Sequence, residues 1–268
     1  MNETFGARLR SRLDKYGPLC VGVDPSPALL HAWGLDDSPT GLERFCRTVV
    51  DAVSDVAAVV KPQSAFFERW GSRGIAVLEQ TIADLREAGT LVLLDVKRGD
   101  VDTTMAAYAE AYLDQGSPLA ADAITVSPYL GFGSLAGAIT SAAANDAGVF
   151  VLARTSNPEA AELQSLVADQ IVTAAAAVNA GHAPFGHVGL VIGATVGAEG
   201  LPVSELNGPI LAPGLGAQGA APADLARRFS PVRQAVIPSV SRAVLRDPAT
   251  VRALALRYRD ECADALAL

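Results

Sequence analysis

The sequence contains few cysteines and histidines. Its three cysteines, Cys20, Cys46 and Cys262, are scattered and form no C-x-x-C pair, which argues against a disulfide framework. We expect them to be reduced, buried thiols in a cytoplasmic protein. The three histidines form no H-x-x-x-H pattern, so the sequence carries no zinc signal and we expect no metal site.

Long apolar runs and clusters of positive charge are also missing. No stretch reaches the roughly 18 uninterrupted apolar residues of a membrane span, and residues 1–17 lack the apolar core of a signal peptide. The polar composition of residues 1–17 instead predicts a short polar helix. The chain has 21 basic and 29 acidic residues, a net charge of -8. This balance argues against nucleic acid or a membrane as a main partner, although a locally basic pocket could still bind a small anion.

What the sequence does have is a regular alternation of short apolar runs with helical stretches. Helices are predicted near 41–54, 66–87 and 159–179, from 102, and from 248 to the end. Alternating strands and helices predict a parallel sheet, and eight repeats in about 250 residues predict a (β/α)8 TIM barrel. We expect one domain over residues 1–268. A doubly wound sheet is the alternative, but D-P-S-P follows the first run instead of a glycine fingerprint. The eight predicted strands lie near 19–24, 56–61, 90–94, 122–127, 148–154, 188–193, 209–212 and 235–240.

The third apolar run leads into the most charged stretch of the chain, LVLLDVKRGDVDTT at residues 91–104. On a continuing strand, Asp95 and Lys97 would point to the same face because side chains alternate. Charges at the end of a buried strand are unfavourable unless they are paired. A structural ion pair is one explanation of an isolated D-x-K, and a functional site is the other.

Charged residues recur at the ends of the other predicted strands. In a barrel these ends converge on one mouth, which is where active sites lie. Six charges at equivalent places favour a polar pocket over scattered ion pairs. For Arg154, a structural ion pair across the mouth is an equally good interpretation. We expect Arg98, which follows Lys97, to be a solvated side chain. The six charges are Asp24, Lys61, Asp95, Lys97, Arg154 and Arg242.

A glycine-rich segment, PGLGAQG at residues 213–219, contains a formal G-x-G-x-x-G. It follows the seventh predicted strand, and no acidic residue lies about 20 positions further on to bind a ribose, so a dinucleotide site is disfavoured. A flexible turn remains possible. A phosphate site after strands 7 and 8 fits better, with Gln218 and Arg242 as donors.

Several segments together resemble orotidine 5′-phosphate decarboxylases. D-V-K-R-G-D-V resembles the family's D-x-K-x-x-D-[IV] signature, and other segments recur in the family's order between about Leu19 and Arg242. The R-G-D and T-S-N-P segments are similar to a longer bacterial subgroup. Two positions depart from the expected pattern: Ser241 stands where glycine is expected before the phosphate-binding arginine, and Val101 replaces a common isoleucine. The recurring segments are V-G-V-D-P-S, K-P, T-S-N-P, A-P-G-L-G-A-Q-G and S-R.

The resemblance implies a (β/α)8 fold and decarboxylation of orotidine 5′-phosphate to UMP, the last step of de novo pyrimidine nucleotide synthesis, without metal or cofactor. It implies that Lys97 and Asp95 flank the reacting carbon and that Lys61 orients Asp95. Asp100 and Thr104 would reach the neighbouring subunit's site in a homodimer with shared active sites, although the sequence leaves open whether Asp100 acts within its own chain. Further substrate-binding roles are implied for Asp24, Ser156, Pro213, Gln218 and Arg242.

The chemistry is compatible with this resemblance. Loss of CO₂ from carbon 6 of the pyrimidine leaves a localised carbanion, which a cation such as Lys97 can stabilise and then protonate. Three alternatives stay open. One is a Mg²⁺-dependent keto-sugar phosphate decarboxylase, the second is a Schiff-base aldolase that uses Lys97, and the third is a non-catalytic barrel that binds a phosphorylated ligand.

Overall fold

Eight parallel strands close into a barrel in the computed structural model, which describes residues 3–267. Each strand pairs with its neighbours in sequence order, and β1 pairs with β8 to complete the ring. The predicted TIM barrel is therefore confirmed. The strands are β1 Cys20–Val23, β2 Val59–Pro62, β3 Leu91–Arg98, β4 Ala123–Val126, β5 Gly148–Arg154, β6 Val188–Ile192, β7 Ile210–Pro213 and β8 Val236–Val240.

Helices lie on the outside of the barrel in most of the connections between strands, whereas β6 and β7 are joined through a 3-10 turn at Val203–Glu205. Several begin at residues that suit a helix start: Ser26 and Ser38 accept hydrogen bonds from backbone N–H groups of the first turn, and a proline follows each serine. The helices are α1 Phe5–Tyr16, α2 Pro27–Ala32, α3 Pro39–Val53, α4 Ala65–Glu68, α5 Ser72–Glu87, α6 Asp102–Leu113, α7 Ala136–Ala144, α8 Ala161–Asn179, α9 Leu225–Arg228 and α10 Val251–Leu266.

The long helix predicted over 66–87 is wrong in one respect, because it is two helices. Gly71 separates α4 from α5 with a φ of 58°, a left-handed conformation that glycine adopts without steric cost. Two other predicted starts are early by two to three residues. A 3-10 turn at Pro158–Ala160 precedes α8, and another at Pro248–Thr250 precedes α10.

The short N-terminal helix, α1, closes one end of the barrel. Phe5, Leu9 and Leu13 are buried against interior side chains contributed by all eight strands, and the Phe5 ring meets Phe150 edge-on. The guanidinium of Arg8 is ion-paired with Asp122, at the start of β4. With this end sealed, the open mouth lies at the carboxyl ends of the strands, where the predicted charges are.

Within the residues that the structure describes, no helix combines the length and hydrophobicity that crossing a membrane requires.

Candidate active site

The Asp95 carboxylate is the centre of a buried charge cluster in the mouth of the barrel. Its Oδ2 accepts a hydrogen bond from Lys61 Nζ at 2.9 Å, and its Oδ1 accepts one from Lys97 Nζ at 2.6 Å. Thr125 Oγ1, from β4, donates to Oδ1 at 2.7 Å. Asp95 is 7% exposed and Lys61 is 6% exposed. The structure thus brings together three of the four predicted catalytic residues.

Lys97 differs from its two partners because its side chain is 46% exposed. The Lys97 ammonium donates one hydrogen bond to Asp95, and its remaining surface is open to the mouth of the barrel. A cation that is held on one side and open on the other can interact with a ligand in the mouth. Lys97 is therefore the member of the cluster best placed to act on a substrate.

The backbone at Lys97 is not a regular strand. Its φ is 46°, and between the pairs Leu94–Ile124 and Arg98–Val126 β3 advances four residues while β4 advances two. The expectation that Asp95 and Lys97 meet through strand alternation is therefore wrong in its geometry, although the two side chains do meet. Thr125 stabilises the irregular segment, because its hydroxyl also accepts a hydrogen bond from Lys97 N at 2.9 Å.

Electrostatic interactions keep Asp95 and Lys61 ionised. Burial by itself raises the pKa of Asp95, but the ammonium groups of Lys61 and Lys97 outweigh that effect and hold the pKa below its ordinary value. Burial by itself lowers the pKa of Lys61, but the carboxylates of Asp95 and Asp24 outweigh it and raise the pKa. Asp95 and Lys61 are consequently charged around neutral pH.

A small cavity of about 90 Å³ lies next to this cluster. Five predicted binding or catalytic residues line it. Four of them lie at the ends of different strands, and the fifth, Gln218, lies in the glycine-rich segment. The Oδ1 atom of Asp24 is buried there without a hydrogen-bond partner among the described residues. Such an acceptor is suited to a hydroxyl group of a ligand. The lining includes Asp24, Lys61, Pro213, Gln218 and Arg242, together with Ser239 and Ser241, which sequence reasoning did not assign to binding.

The glycine-rich segment forms a tight loop over the cavity. Gly214, Gly216 and Gly219 all have positive φ, at 112°, 71° and 93°. No long helix begins at this loop, since only a 3-10 turn and the four-residue α9 follow it, so the dinucleotide interpretation finds no support. Ser156 Oγ donates to Gln218 Oε1 at 2.6 Å, which ties the loop to the segment after β5.

Asp100 and Thr104 are not brought to the cluster within this chain. Among residues 3–267, neither side chain makes a hydrogen bond or ion pair with Lys97 or Asp95. Asp100 Oδ1 instead accepts a hydrogen bond from Val101 N at 2.8 Å, and Thr104 is exposed on the first turn of α6. Their predicted role in the neighbouring subunit's site stays a prediction, as does the alternative that Asp100 acts within its own chain.

Two arginines near the mouth have structural contacts. Arg154 donates to the Glu199 carbonyl at 2.9 Å. The expectation that Arg98 is solvated is wrong. Its guanidinium is ion-paired with Glu68 and lies over the rings of Tyr108 and Tyr112, so it anchors the residue after Lys97 to α4 and α6. The contact depends on the irregular register of β3 between Leu94 and Arg98. The pattern of apolar and polar residues does not predict such an irregularity, so this contact could not be predicted from the sequence.

No set of three or more histidine, cysteine or acidic side chains within residues 3–267 is arranged to hold a metal ion. The candidate site is instead a lysine–carboxylate–lysine array beside a cavity.

Known proteins that resemble this chain do so over nearly its whole length. The model of the family described as orotidine 5′-phosphate decarboxylase / HUMPS matches residues 17–256. The orotidine 5′-phosphate decarboxylase of Salinispora arenicola is 57% identical over 98% of this chain and 99% of its own length. That of Streptomyces coelicolor is 55% identical over 94% of this chain and 93% of its own. A crystal structure from Streptomyces avermitilis superposes with a TM-score of 0.96 at 54% identity, covering 100% of this chain and 97% of the other.

Proposed function

The chain belongs to the orotidine 5′-phosphate decarboxylase / HUMPS family, and from this membership we infer that it is a carboxy-lyase that converts orotidine 5′-phosphate into UMP and CO₂. This conversion belongs to pyrimidine nucleotide synthesis. The observation that carries the inference beyond family membership is the Lys61–Asp95–Lys97 array beside a cavity of mixed charge.

In the mechanism that we propose, Lys97 performs the central step. The bond between carbon 6 and the carboxylate breaks, CO₂ leaves, and the electron pair stays on carbon 6. The Lys97 ammonium stabilises this charge as it develops and then transfers its proton to carbon 6, which gives UMP and a neutral amine that solvent reprotonates. The partial exposure of Lys97 supports this role, since the ammonium is not enclosed by protein groups.

Asp95 has two functions in this proposal. Its hydrogen bonds to both lysines fix the Lys97 ammonium before substrate arrives, so no reorganisation is needed during the reaction. Its negative charge would also lie beside the substrate carboxylate, which favours departure of neutral CO₂.

Substrate binding is proposed for the residues around the cavity. Asp24 and Lys61 would bind the ribose hydroxyls, and the unpartnered Oδ1 of Asp24 supports this assignment. Gln218 and Arg242 would bind the phosphate. The remote phosphate contacts would close the glycine-rich loop and order the charges around carbon 6. Ser156 and Pro213 would contact the pyrimidine.

We propose that the reaction needs neither metal nor cofactor, because the positive charge that the carbanion requires is supplied by Lys97. The test follows the loss of orotate absorbance with excess EDTA present. We expect undiminished turnover by wild type and a loss of at least about a thousandfold in Lys97→Ala, since it removes both the cation and the proton donor. Lys15→Ala is the matched control, because Lys15 is exposed on α1 at the closed end. Inhibition by EDTA would contradict metal independence and favour the Mg²⁺-dependent alternative.

We also propose a homodimer with shared sites. Asp100 and Thr104 have no partner within their own chain's cluster, and exposed apolar residues lie on the segments that leave the same rim of the barrel. Gly99 packs closely against the carbonyl of Ser127, which brings the segment after β3 next to the segment after β4. These exposed residues are Val101, Tyr129, Leu130, Leu163 and Leu166.

A subunit-mixing experiment tests the shared sites. Asp100→Ala and Lys97→Ala are each inactive in the proposal. An equimolar mixture that has been dissociated and reassociated forms about half mixed dimers with one intact site, so about a quarter of the activity should return. Asp100→Ala mixed with itself is the control. No recovery in a mixture that has formed mixed dimers would place Asp100 in its own chain's site.

A cytoplasmic location and a one-domain organisation complete the proposal. The free thiols of Cys20, Cys46 and Cys262 are all buried, and burial raises their pKa to about 11, 12 and 12, which keeps them unreactive as expected of reduced structural cysteines.

A further inference from the structure

Ser241 is a polar residue at the end of β8 that the proposed mechanism does not use. It precedes Arg242 and lines the same cavity as Asp24, Lys61 and Gln218. Its Oγ atom is buried and has no hydrogen-bond partner among the described residues. A buried hydroxyl without a partner is unfavourable, so such a group calls for an explanation by a ligand or by packing.

A glycine on the neighbouring strand leaves room for the Ser241 side chain. Val21 of β1 pairs with Val240 of β8, which places Gly22 alongside Ser241. A Cβ atom on Gly22 would lie 2.9 Å from Ser241 Cβ and 3.4 Å from its Oγ. The glycine at position 22 therefore leaves the room that the Ser241 side chain occupies beside the cavity.

The cavity holds a second unpartnered atom of complementary character. Asp24 Oδ1 is an acceptor, and the Ser241 hydroxyl is able to donate, yet the two do not bond to each other. Both lie beside the same position, because the Cβ placed on Gly22 would also be 3.6 Å from Asp24 Oδ1. A ligand that presents a donor to Asp24 and an acceptor to Ser241 would satisfy both atoms. A phosphorylated sugar presents a hydroxyl and phosphate oxygens in this way.

We propose that Ser241 is an additional phosphate-binding residue, whose Oγ donates a hydrogen bond to a phosphate oxygen of the substrate next to Arg242. The phosphate is preferred over the ribose as its partner because Ser241 adjoins the arginine proposed for the phosphate, and a hydrogen bond to an anionic oxygen is stronger than one to a neutral hydroxyl. This inference rests on the proposed function for the identity of the ligand.

The test measures binding of UMP and of uridine to wild type and to Ser241→Ala. The substitution removes only the hydroxyl, so we expect the Kd for UMP to rise by about tenfold or more, as for loss of a hydrogen bond to a charged group. The Kd for uridine, which lacks the phosphate, should change by less than about twofold. The melting temperature without ligand should stay the same or rise, because an unpaired buried hydroxyl is lost.

Three outcomes would overturn the inference, and a fourth would overturn the proposed reaction alone. An unchanged Kd for UMP would show that Ser241 makes no ligand contact. Equal weakening of UMP and uridine would move the contact from the phosphate to the nucleoside. A lower melting temperature of Ser241→Ala with unchanged UMP affinity would assign the hydroxyl a structural role. Wild type that binds UMP without decarboxylating orotidine 5′-phosphate would remove the proposed reaction and leave this inference standing.

Discussion

Replacing Asp95 by asparagine tests whether the charge array holds the mouth of the barrel together. The substitution preserves the size of the side chain and removes its charge. Lys61 is only 6% exposed, and in wild type its ammonium lies 2.9 Å from the Asp95 carboxylate. In Asp95→Asn this buried ammonium loses that anionic partner. Breaking a buried ion pair by removing one partner costs about 3–5 kcal/mol.

The structure places Asp95→Asn at the lower end of that range. Asp24 also faces Lys61 and keeps part of the compensation, as its contribution to the raised pKa of Lys61 indicates. The single amide oxygen of the asparagine can still accept a hydrogen bond from Lys61 or from Thr125, but not from both, because these two donate to different oxygens of Asp95. Lys97 is nearly half exposed, so losing its pair with Asp95 adds little. We therefore expect a loss of about 3 kcal/mol, which lowers the melting temperature by roughly 6–12 °C in a chain of this size.

Urea unfolding followed by circular dichroism at pH 7 and fixed protein concentration measures the change. Asp37→Asn is the matched control, because it breaks the exposed Arg69–Asp37 pair and should cost less than about 1 kcal/mol. A second arm repeats Asp95→Asn in a Lys61→Met background, where the buried cation is absent and the cost should fall below about 1 kcal/mol. An Asp95→Asn protein as stable as wild type would refute the reasoning. It would mean that desolvation of Asp95 already cancels its attraction to both lysines.

Three further predictions concern the closed end, the bulge and acid stability. Leu9→Ala should lower the free energy of unfolding by about 2–5 kcal/mol in urea titrations, because Leu9 is buried against the barrel interior, while turnover at 25 °C stays near wild type. Arg98→Ala should reduce kcat by about tenfold with little change in KM, because the ion pair to α4 fixes the backbone beside Lys97. His187 should make the protein less stable as the pH falls below about 6.5, because burial and the nearby His182 lower its pKa in the folded state. The unfolded chain then binds the proton more readily, so His187→Gln should flatten the dependence of the urea midpoint on pH between 7.5 and 5.5.

Each of these predictions has a contrary outcome, and those for Arg98 and His187 also have a matched control. An unchanged urea midpoint for Leu9→Ala would show that α1 is not part of the cooperative fold. Arg154→Ala is the control for Arg98→Ala, since the side-chain hydrogen bond of Arg154 within residues 3–267 goes to a carbonyl of the β6–β7 connection. Equal losses of kcat in both would show that neither arginine acts through Lys97. His31→Gln, at an exposed position, should leave the pH dependence unchanged. A wild-type midpoint independent of pH would contradict the role of His187.

The sequence alone predicted the barrel and most of the charged residues that line its mouth. Short apolar runs alternating with helices predicted the parallel sheet, because each run needs helices on its outer face to be buried. Asp24, Lys61, Asp95 and Arg242 could be assigned to one mouth, since the carboxyl ends of parallel strands meet whatever the details of packing. Local patterns suffice for these conclusions, because the apolar runs and the helices that alternate with them can be recognised from short stretches of sequence.

How these residues are arranged relative to one another could be seen only in the tertiary structure. The positive φ of Lys97 depends on Thr125 and on the register shift against β4, and both are long-range contacts that leave no periodic signal. The placement of Arg98 against Glu68 depends on the same bulge. The space for Ser241 likewise exists only because the ring closes and brings Gly22 of β1 beside β8, across more than two hundred residues of chain. These contacts join segments that are far apart in the chain and meet only when the barrel closes. No single stretch of the sequence therefore predicts them.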